Sequence, residues 1–141
     1  MRLLLTKLFS RRLIEAVLIR YLRLPSMNNF GEGIDCIDTP EIGQKPWGEQ
    51  SRDHLRAIIG SEITLKRHTT DRYGRVVAEL FDATGQSVNL AMVRAGRAAV
   101  YGRYCSDAAY FAAEREARTA KLGIWAVDGG QQRPWEWRAG R

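Results

Sequence analysis

Two candidate strand segments on either side of a turn constrain the fold of this chain more than any other feature. Residues 62–67 (EITLKR) alternate between apolar and polar side chains, as strands that bury one face do, and the pattern of residues 75–81 (RVVAELF) indicates the partner strand. The residues between them, 68–74, are rich in turn-forming types and end in glycine. The pattern therefore predicts a pair of strands joined at residues 68–74.

Helical spacing and stop signals predict helices before and after this strand pair. The predicted helices, each followed or ended by a glycine, cover residues 46–59, 88–95 and 107–122. A short strand is expected at 34–37 and a second turn at 82–86, while 97–104 could be a strand or an ordered loop. Short strands, an inserted helix, a strand pair and further helices fit an α+β domain built on a small β-barrel.

The first residues of the chain carry most of its net positive charge. Residues 3–24 have apolar side chains at helical spacing with arginines mostly between them, and Pro25 ends the pattern. Residues 1–24 hold six basic groups and one acidic group, so they supply +5 of the net charge of +6. We therefore predict a basic amphipathic segment at 1–26 and one nearly neutral domain at 27–141 with a Trp-rich tail.

This basic segment admits several interpretations. It could bind an anionic membrane surface or a partner's groove, pack on its own domain, or reflect a misplaced start of the coding region. No stretch of the chain reaches 18 apolar residues, so no transmembrane helix is predicted, and Lys7 interrupts the apolar run too early for a convincing signal peptide. The compartment is left open, and no feature indicates an obligate oligomer.

The two cysteines, Cys36 and Cys105, lack the paired Cys or His spacing of a zinc site. One disulfide and two free thiols both fit the sequence, and free thiols are at least as compatible with it.

The segment DTPE, residues 38–41, ends an apolar run on two carboxylates. Pro40 fixes its own φ and pushes Thr39 toward an extended conformation, so Asp38 and Glu41 should project from a strand end. Ca²⁺ prefers carboxylate and backbone oxygens, and a second carboxylate nearby can orient or deprotonate a water. The motif indicates either a metal and general-base site or an ordinary turn with solvated acids.

Two further stretches combine basic and aromatic groups. Residues 70–75 (TDRYGR) place Arg75, whose planar fork fits a phosphate, just before a strand. Residues 100–104 (VYGRY) suit base stacking beside phosphate contacts. The alternatives are a hairpin turn with exposed charge for the first stretch and a half-buried strand with core tyrosines for the second.

Taken together, these segments resemble the staphylococcal nuclease (thermonuclease-like) family. The resemblance runs from about Gly33 to Arg138 and rests, in order, on IDTPE, PWGEQSRDHL, ITLKRHTTDRYGRVVAELF, VNLAMVRAGRAAVYGRY, KLGIWA and RPWEWR. It implies an oligonucleotide-binding (OB) barrel with added helices. It also implies an endonuclease that cleaves DNA or RNA phosphodiesters using Ca²⁺.

The resemblance also implies roles for individual residues. Asp38 and the Thr39 carbonyl would hold the metal, Glu41 would activate the attacking water, and Arg75 would bind the phosphate and stabilise its developing charge. The residues expected to contact the nucleotide are Arg72, Tyr73 and Tyr104.

Two departures from the family pattern bear on activity. The Asp-Gly-Asp-Thr motif of the family's first strands does not occur, and the helix-patterned residues 1–24 stand in its place. Gly33 stands where the family has an arginine, five residues before Asp38. The sequence therefore predicts either a nuclease with a weakened site or a non-catalytic nucleic-acid-binding module.

Overall fold

A computed structural model of the chain describes residues 2–4, 36–60, 62–70, 76–129 and 133–140. The described helices are α1 (Trp47–Ile58), α2 (Val88–Arg94), α3 (Ala108–Thr119) and α4 (Pro134–Ala139), with a 3-10 turn at Gly123–Trp125. The described strands are β1 (Arg2–Leu4), β2 (Ile37–Asp38), β3 (Glu62–Thr70), β4 (Val76–Asp82) and β5 (Ala99–Val100). An α+β fold is thereby confirmed.

Strands β3 and β4 form the predicted antiparallel pair. Ile63 lies opposite Asp82, and the register shifts once, between Arg67 and Thr69. The turn predicted from residue 68 is wrong in its start, because β3 continues through Thr70. Two threonines, which are β-branched and favour extended backbone, end this longer strand.

Strand β1 corrects the expectation that residues 3–24 form a single helix. Arg2–Leu4 pairs antiparallel with β3, with Leu3 opposite Ile63, so the helix prediction is wrong at residues 3 and 4. Pairing satisfies backbone groups along an edge of β3 that would otherwise need another partner. The rest of the predicted helix, residues 5–24, lies outside the described residues.

The described strands form two sheets and no closed barrel. One sheet has three strands in the order β1-β3-β4, and the other consists of the antiparallel pair β2 and β5. The OB-type barrel expected from the sequence is therefore not confirmed in the part of the chain that the structure describes. None of the helices described there is long and apolar enough to span a membrane.

The core lies between strands β3 and β4 on one side and helices α1 to α3 on the other. Its most buried side chains come from all of these elements, and they include Leu55, Ile63, Leu80, Met92, Val93, Tyr110 and Ala113. At α1 and α2, the predicted helices agree with the observed ones to within one residue at each end.

Helix α3 begins as predicted and ends early. The Asp107 carboxylate accepts a hydrogen bond of 2.8 Å from the Ala109 N–H, which caps the helix. The helix ends at Thr119 instead of Leu122, because Lys121 adopts a left-handed conformation (φ 52°) and Leu122 N–H donates back to the Ala117 carbonyl. Lysine rarely fills this position, so the sequence signal pointed to the next glycine instead.

A disulfide joins Cys36, just before β2, to Cys105, shortly after β5. The structure therefore chooses the disulfide over two free thiols. Strands β2 and β5 also pair, with Ile37 opposite Val100. The disulfide and the strand pairing therefore both connect the backbone around Asp38 to residues 99–105.

Candidate functional site

Asp38 is a buried carboxylate at the end of a short strand. The residue is only 3% exposed, and its backbone pairs with Ala99 of β5. Just upstream, the Cys36 carbonyl accepts a hydrogen bond of 2.9 Å from Tyr101 N–H. The strand ladder and the disulfide together fix where this carboxylate sits.

Glu41 follows on a loop that packs against the first turn of α1. The Gln44 N–H donates to the Glu41 carbonyl at 2.8 Å, and the Gly48 N–H donates to the Gln44 carbonyl at 2.8 Å. A Cβ atom on Gly48 would lie 1.9 Å from the Glu41 carbonyl oxygen. Any other residue at position 48 would therefore push the Glu41 backbone out of place.

Arg138, from α4 at the far end of the chain, brings the two carboxylates together. Its Nη2 lies 2.6 Å from Asp38 Oδ2 and its Nη1 lies 3.4 Å from Asp38 Oδ1. The same Nη1 lies 3.7 Å from Glu41 Oε1. The two acids of the DTPE segment thus converge on one guanidinium, so the alternative of a turn with solvated acids is wrong for buried Asp38.

Burial dominates the electrostatics of Asp38. Desolvation raises the pKa of its carboxyl from 3.8 to about 6, although the hydrogen bond and positive charge of Arg138 lower it. The nearby charge of Glu41 raises the pKa further. A carboxylate in this setting is costly to leave without a cation beside it.

Helix α4 is seated beside this site by its aromatic side chains. Pro134 is buried at the first helical position, and the Trp135 ring lies 4.9 Å from the Tyr101 ring, tilted by 54°. On another side, a Cβ atom on Gly43 would lie 3.4 Å from Trp137 Cη2. These contacts hold the helix over the loop that carries Glu41 and direct Arg138 to Asp38.

Arg138 received no role from the sequence, and helix α4 was not predicted. The segment RPWEWR served only as one of the motifs of the resemblance. A proline at the first position of a helix, with tryptophans one and three residues later, was the available signal for a short, docked helix. The contact with Asp38 spans 100 residues of sequence, so no local pattern could have revealed it.

Tyr104 lies on an aromatic surface next to α4. Its side chain is 55% exposed, its ring lies 5.5 Å from the Tyr101 ring, and the Arg103 guanidinium lies 5.7 Å from its centroid. The alternative in which both tyrosines belong to the core is therefore wrong for Tyr104. Tyr101, in turn, connects Tyr104 to Trp135 and so to the helix that carries Arg138.

Of the other predicted site residues, the structure describes only Thr39. Thr39 is half-buried directly after β2, where its backbone carbonyl adjoins Asp38. The expected phosphate-binding and nucleotide-binding residues Arg72, Tyr73 and Arg75 lie outside the described residues, and their roles stay predictions.

The donor chemistry of the site suits a hard cation such as Ca²⁺, because Asp38, Glu41 and the Thr39 carbonyl all offer oxygen. Within the described residues, however, no group of three His, Cys, Asp or Glu side chains comes together. The described part thus contributes two carboxylates, and the positive group beside them is Arg138.

Comparisons with known proteins match the same part of the chain. Residues 33–127 match the family described as staphylococcal nuclease homologue. Over 103 residues, the chain is 38% identical to an uncharacterized endonuclease of Escherichia coli, and 35% identical to a staphylococcal-like nuclease of Arabidopsis thaliana. Over 113 residues it is 37% identical to a micrococcal nuclease of Shigella flexneri.

Each of these matches covers 72% of this chain. They cover 66% of the Escherichia coli protein, 64% of the Shigella flexneri protein and 31% of the Arabidopsis thaliana protein. The chain therefore spans just under two thirds of the two bacterial relatives and about a third of the plant one.

Proposed function

Because this chain belongs to the family of staphylococcal nuclease homologues, we propose that it cleaves phosphodiester bonds in DNA or RNA. The observation that carries the proposal is the convergence of buried Asp38 and half-buried Glu41 on one positive group. Phosphodiester hydrolysis needs a base for the attacking water and positive charge for the phosphate oxygens. Glu41 can act as the base, and Asp38 can hold the cation that would supply the positive charge.

In this proposal three residues of the DTPE segment have a task. Asp38 and the Thr39 carbonyl would hold a Ca²⁺ ion. When bound, this ion supplies positive charge to the non-bridging phosphate oxygens. Glu41 accepts a proton from the attacking water, and Gly48 keeps the Glu41 backbone in position through its close approach to the carbonyl. Arg75, which lies outside the described residues, would bind the phosphate.

The aromatic surface of Tyr101, Tyr104 and Trp135 is the proposed place for the bases of the substrate. Exposed aromatic rings bind successive bases by stacking, and Arg103 beside Tyr104 adds charge for the backbone. Arg72 and Tyr73 would complete the nucleotide contacts. This surface suits single-stranded or locally unpaired substrate, and an OB-type barrel would provide its support.

Cleavage of a labelled single-stranded DNA in the presence of Ca²⁺ tests the proposal. Glu41→Gln should lower the rate by about 10² to 10⁴, the usual contribution of a general base. Glu49→Gln is the matched control, because Glu49 lies on the first turn of α1 and pairs with Lys45 in solvent. The proposal fails if wild type, purified in parallel, cleaves no faster than Glu41→Gln.

A second candidate function is nucleic-acid binding without cleavage. It is favoured by the Arg138 guanidinium, which already neutralises Asp38, and by Gly33, which replaces an arginine of the family pattern. Binding of single-stranded DNA at low salt with no turnover at any Ca²⁺ concentration would support this function. Turnover that disappears in Glu41→Gln would exclude it.

The basic segment 1–26 has a separate proposed role at an anionic membrane surface. Deleting residues 5–24, which keeps strand β1 in the chain, should abolish co-sedimentation with vesicles that contain anionic lipid. If the full chain does not bind such vesicles at low salt, this role is excluded.

A further inference from the structure

The structure assigns to Arg138 a role that extends the proposed nuclease function and rests on it: we propose that Arg138 is an internal cation that competes with Ca²⁺ for Asp38 and Glu41. In this arrangement, the metal binds when α4 releases its arginine from the carboxylates. The C-terminal helix would then set how tightly the site binds its metal.

The competition follows from the oxygens that Arg138 uses. Nη2 lies 2.6 Å from Asp38 Oδ2, while Nη1 faces Oδ1 of the same carboxylate and Oε1 of Glu41. A Ca²⁺ ion binds its carboxylate oxygens at about 2.3 to 2.6 Å. An ion on Asp38 would therefore lie within a few ångströms of the guanidinium. Two positive charges at that separation repel each other strongly where solvent is scarce.

The burial of Asp38 strengthens the contact with Arg138. The Asp38 side chain is 2% exposed and that of Arg138 is 23% exposed. A buried carboxylate is stabilised by a nearby cation, and either an arginine or a metal ion can meet that need. Arg138 therefore keeps the site neutralised in the protein without metal, and Ca²⁺ must replace it on the same oxygens.

Helix α4 can release from the site. It is six residues long, and apart from the buried Pro134 its side chains are half-buried or exposed, including those of Trp135 and Trp137. Short peripheral elements with few buried side chains open locally at much lower free energy than the core. Release of α4 would remove Arg138 from Asp38 and Glu41 and leave the disulfide and strand ladder around Asp38 intact.

An alternative role for Arg138 is to bind the substrate phosphate in place of the arginine absent at Gly33. The geometry favours competition, because both terminal nitrogens are directed at carboxylates that the metal would use. The two roles predict different results. A phosphate-binding arginine changes affinity for nucleic acid and leaves affinity for metal unaltered, whereas a competing cation changes affinity for metal in the absence of substrate.

Calorimetric titration with Ca²⁺ alone, without nucleic acid, tests the competition. If Arg138 occupies the carboxylates about nine tenths of the time, its removal raises the apparent affinity about tenfold. We therefore expect Arg138→Gln to bind Ca²⁺ about tenfold more tightly than wild type. Arg133→Gln is the matched control, because Arg133 lies next to the same helix but pairs with Glu136 in solvent. Equal or weaker binding by Arg138→Gln would overturn the proposal.

Hydrogen exchange of the wild type gives a readout that needs no variant. Backbone amides at 135–140 should exchange faster when Ca²⁺ is added, while those of α1 and α3 should not. Unchanged or slower exchange in α4 at saturating Ca²⁺ would overturn the proposal, and this holds even if Arg138→Gln fails to fold.

The same titrations separate this inference from the proposed function. If wild type and Arg138→Gln bind Ca²⁺ no better than Asp38→Asn, the proposed metal site fails and the competition with it. If both bind equally well and cleavage still depends on Glu41, the competition alone is wrong and the nuclease proposal stands.

Discussion

Two aspartates in this protein pair with arginine, yet their pKa values move in opposite directions. Asp53, on the surface of α1, lies 2.9 Å from Arg52 Nε and 3.3 Å from Arg56 Nη1. Hydrogen bonding to Arg52, followed by the charges of both arginines, lowers the pKa of its carboxyl. Asp38 has a closer guanidinium, at 2.6 Å, and burial nevertheless raises its pKa to about 6.

The difference shows that the solvent around a carboxylate, more than its partner, decides its electrostatics here. Asp53 stays hydrated, and each arginine beside it stabilises the charged form of its carboxylate slightly. Asp38 loses its water, and one arginine does not fully replace that hydration. A surface pair of this kind adds little to the stability of the protein. In a buried pair, loss of one partner leaves the charge of the other buried and uncompensated. The Asp38–Arg138 pair therefore carries structural and functional consequences that the Asp53 cluster does not.

The largest expected effect comes from breaking the two clusters in parallel. Arg138→Met leaves Asp38 buried without its cation and should lower the free energy of unfolding by about 4 kcal/mol, as for other buried pairs that lose one member. Arg56→Met removes one of two arginines from an exposed carboxylate and should leave stability near that of wild type. Urea denaturation at pH 7 with a Ca²⁺ chelator measures both variants.

Arg133→Met controls for the loss of an arginine near α4. It should behave as Arg56→Met does, because its partner Glu136 is only three residues away and solvated. Equal destabilisation by Arg138→Met and Arg56→Met would mean that the Asp38 pair behaves as a surface pair and that burial does not distinguish the two aspartates.

A smaller effect is expected from pH. Between pH 4 and pH 6 the folded state keeps a proton on Asp38 that the unfolded state has already released, since its pKa rises from 3.8 to about 6 on folding. The folded state binds more protons in this range, so the stability contributed by Asp38 is greatest below pH 4 and falls as pH rises toward 6. The loss amounts to about 3 kcal/mol.

Asp53 should act with the opposite sign. Its pKa is lowered in the folded state, so its contribution is present above its unfolded pKa and is lost as the pH falls. Unfolding curves from pH 3 to pH 7 should show that Asp38→Asn removes a downward trend with pH and that Asp53→Asn removes an upward one. The same sign for both variants would contradict the proposed role of burial.

The sequence predicted the elements that local patterns encode. The strand pair β3–β4, helices α1 and α2, and the Asp107 cap of α3 follow from alternation, helical spacing and capping residues. The failures are equally instructive. Residues 3 and 4 have helical spacing but form a strand, because pairing with β3 prevails over short-range pattern. Helix α3 ends three residues early because Lys121 adopts a conformation usually reserved for glycine.

Part of the candidate site could likewise be predicted from the sequence, and part could not. Asp38 and Glu41 lie within one short motif, and their proposed roles follow from residue type and from the family resemblance. The choice of a disulfide between Cys36 and Cys105, and the contact of Arg138 with both carboxylates, depend on segments that are 69 and 100 residues apart. Such contacts arise from tertiary packing and cannot be inferred from the spacing of residues along the chain.

The smallest expected effect is a change in the response to salt. At about 1 M salt the Debye length falls to about 3 Å, so interactions of exposed charges are almost fully screened. The small stability difference between wild type and Arg56→Met should therefore disappear when NaCl is raised from 0.05 M to 1 M. The larger difference for Arg138→Met should persist, because Asp38 is buried and salt screens a buried pair much less than an exposed one.

Sodium chloride is the appropriate probe and sodium sulfate the control, since sulfate also strengthens apolar burial and should stabilise all variants together. If the Arg138→Met difference falls with NaCl in the same proportion as the Arg56→Met difference, the Asp38 pair is solvated, and its raised pKa needs a cause other than burial.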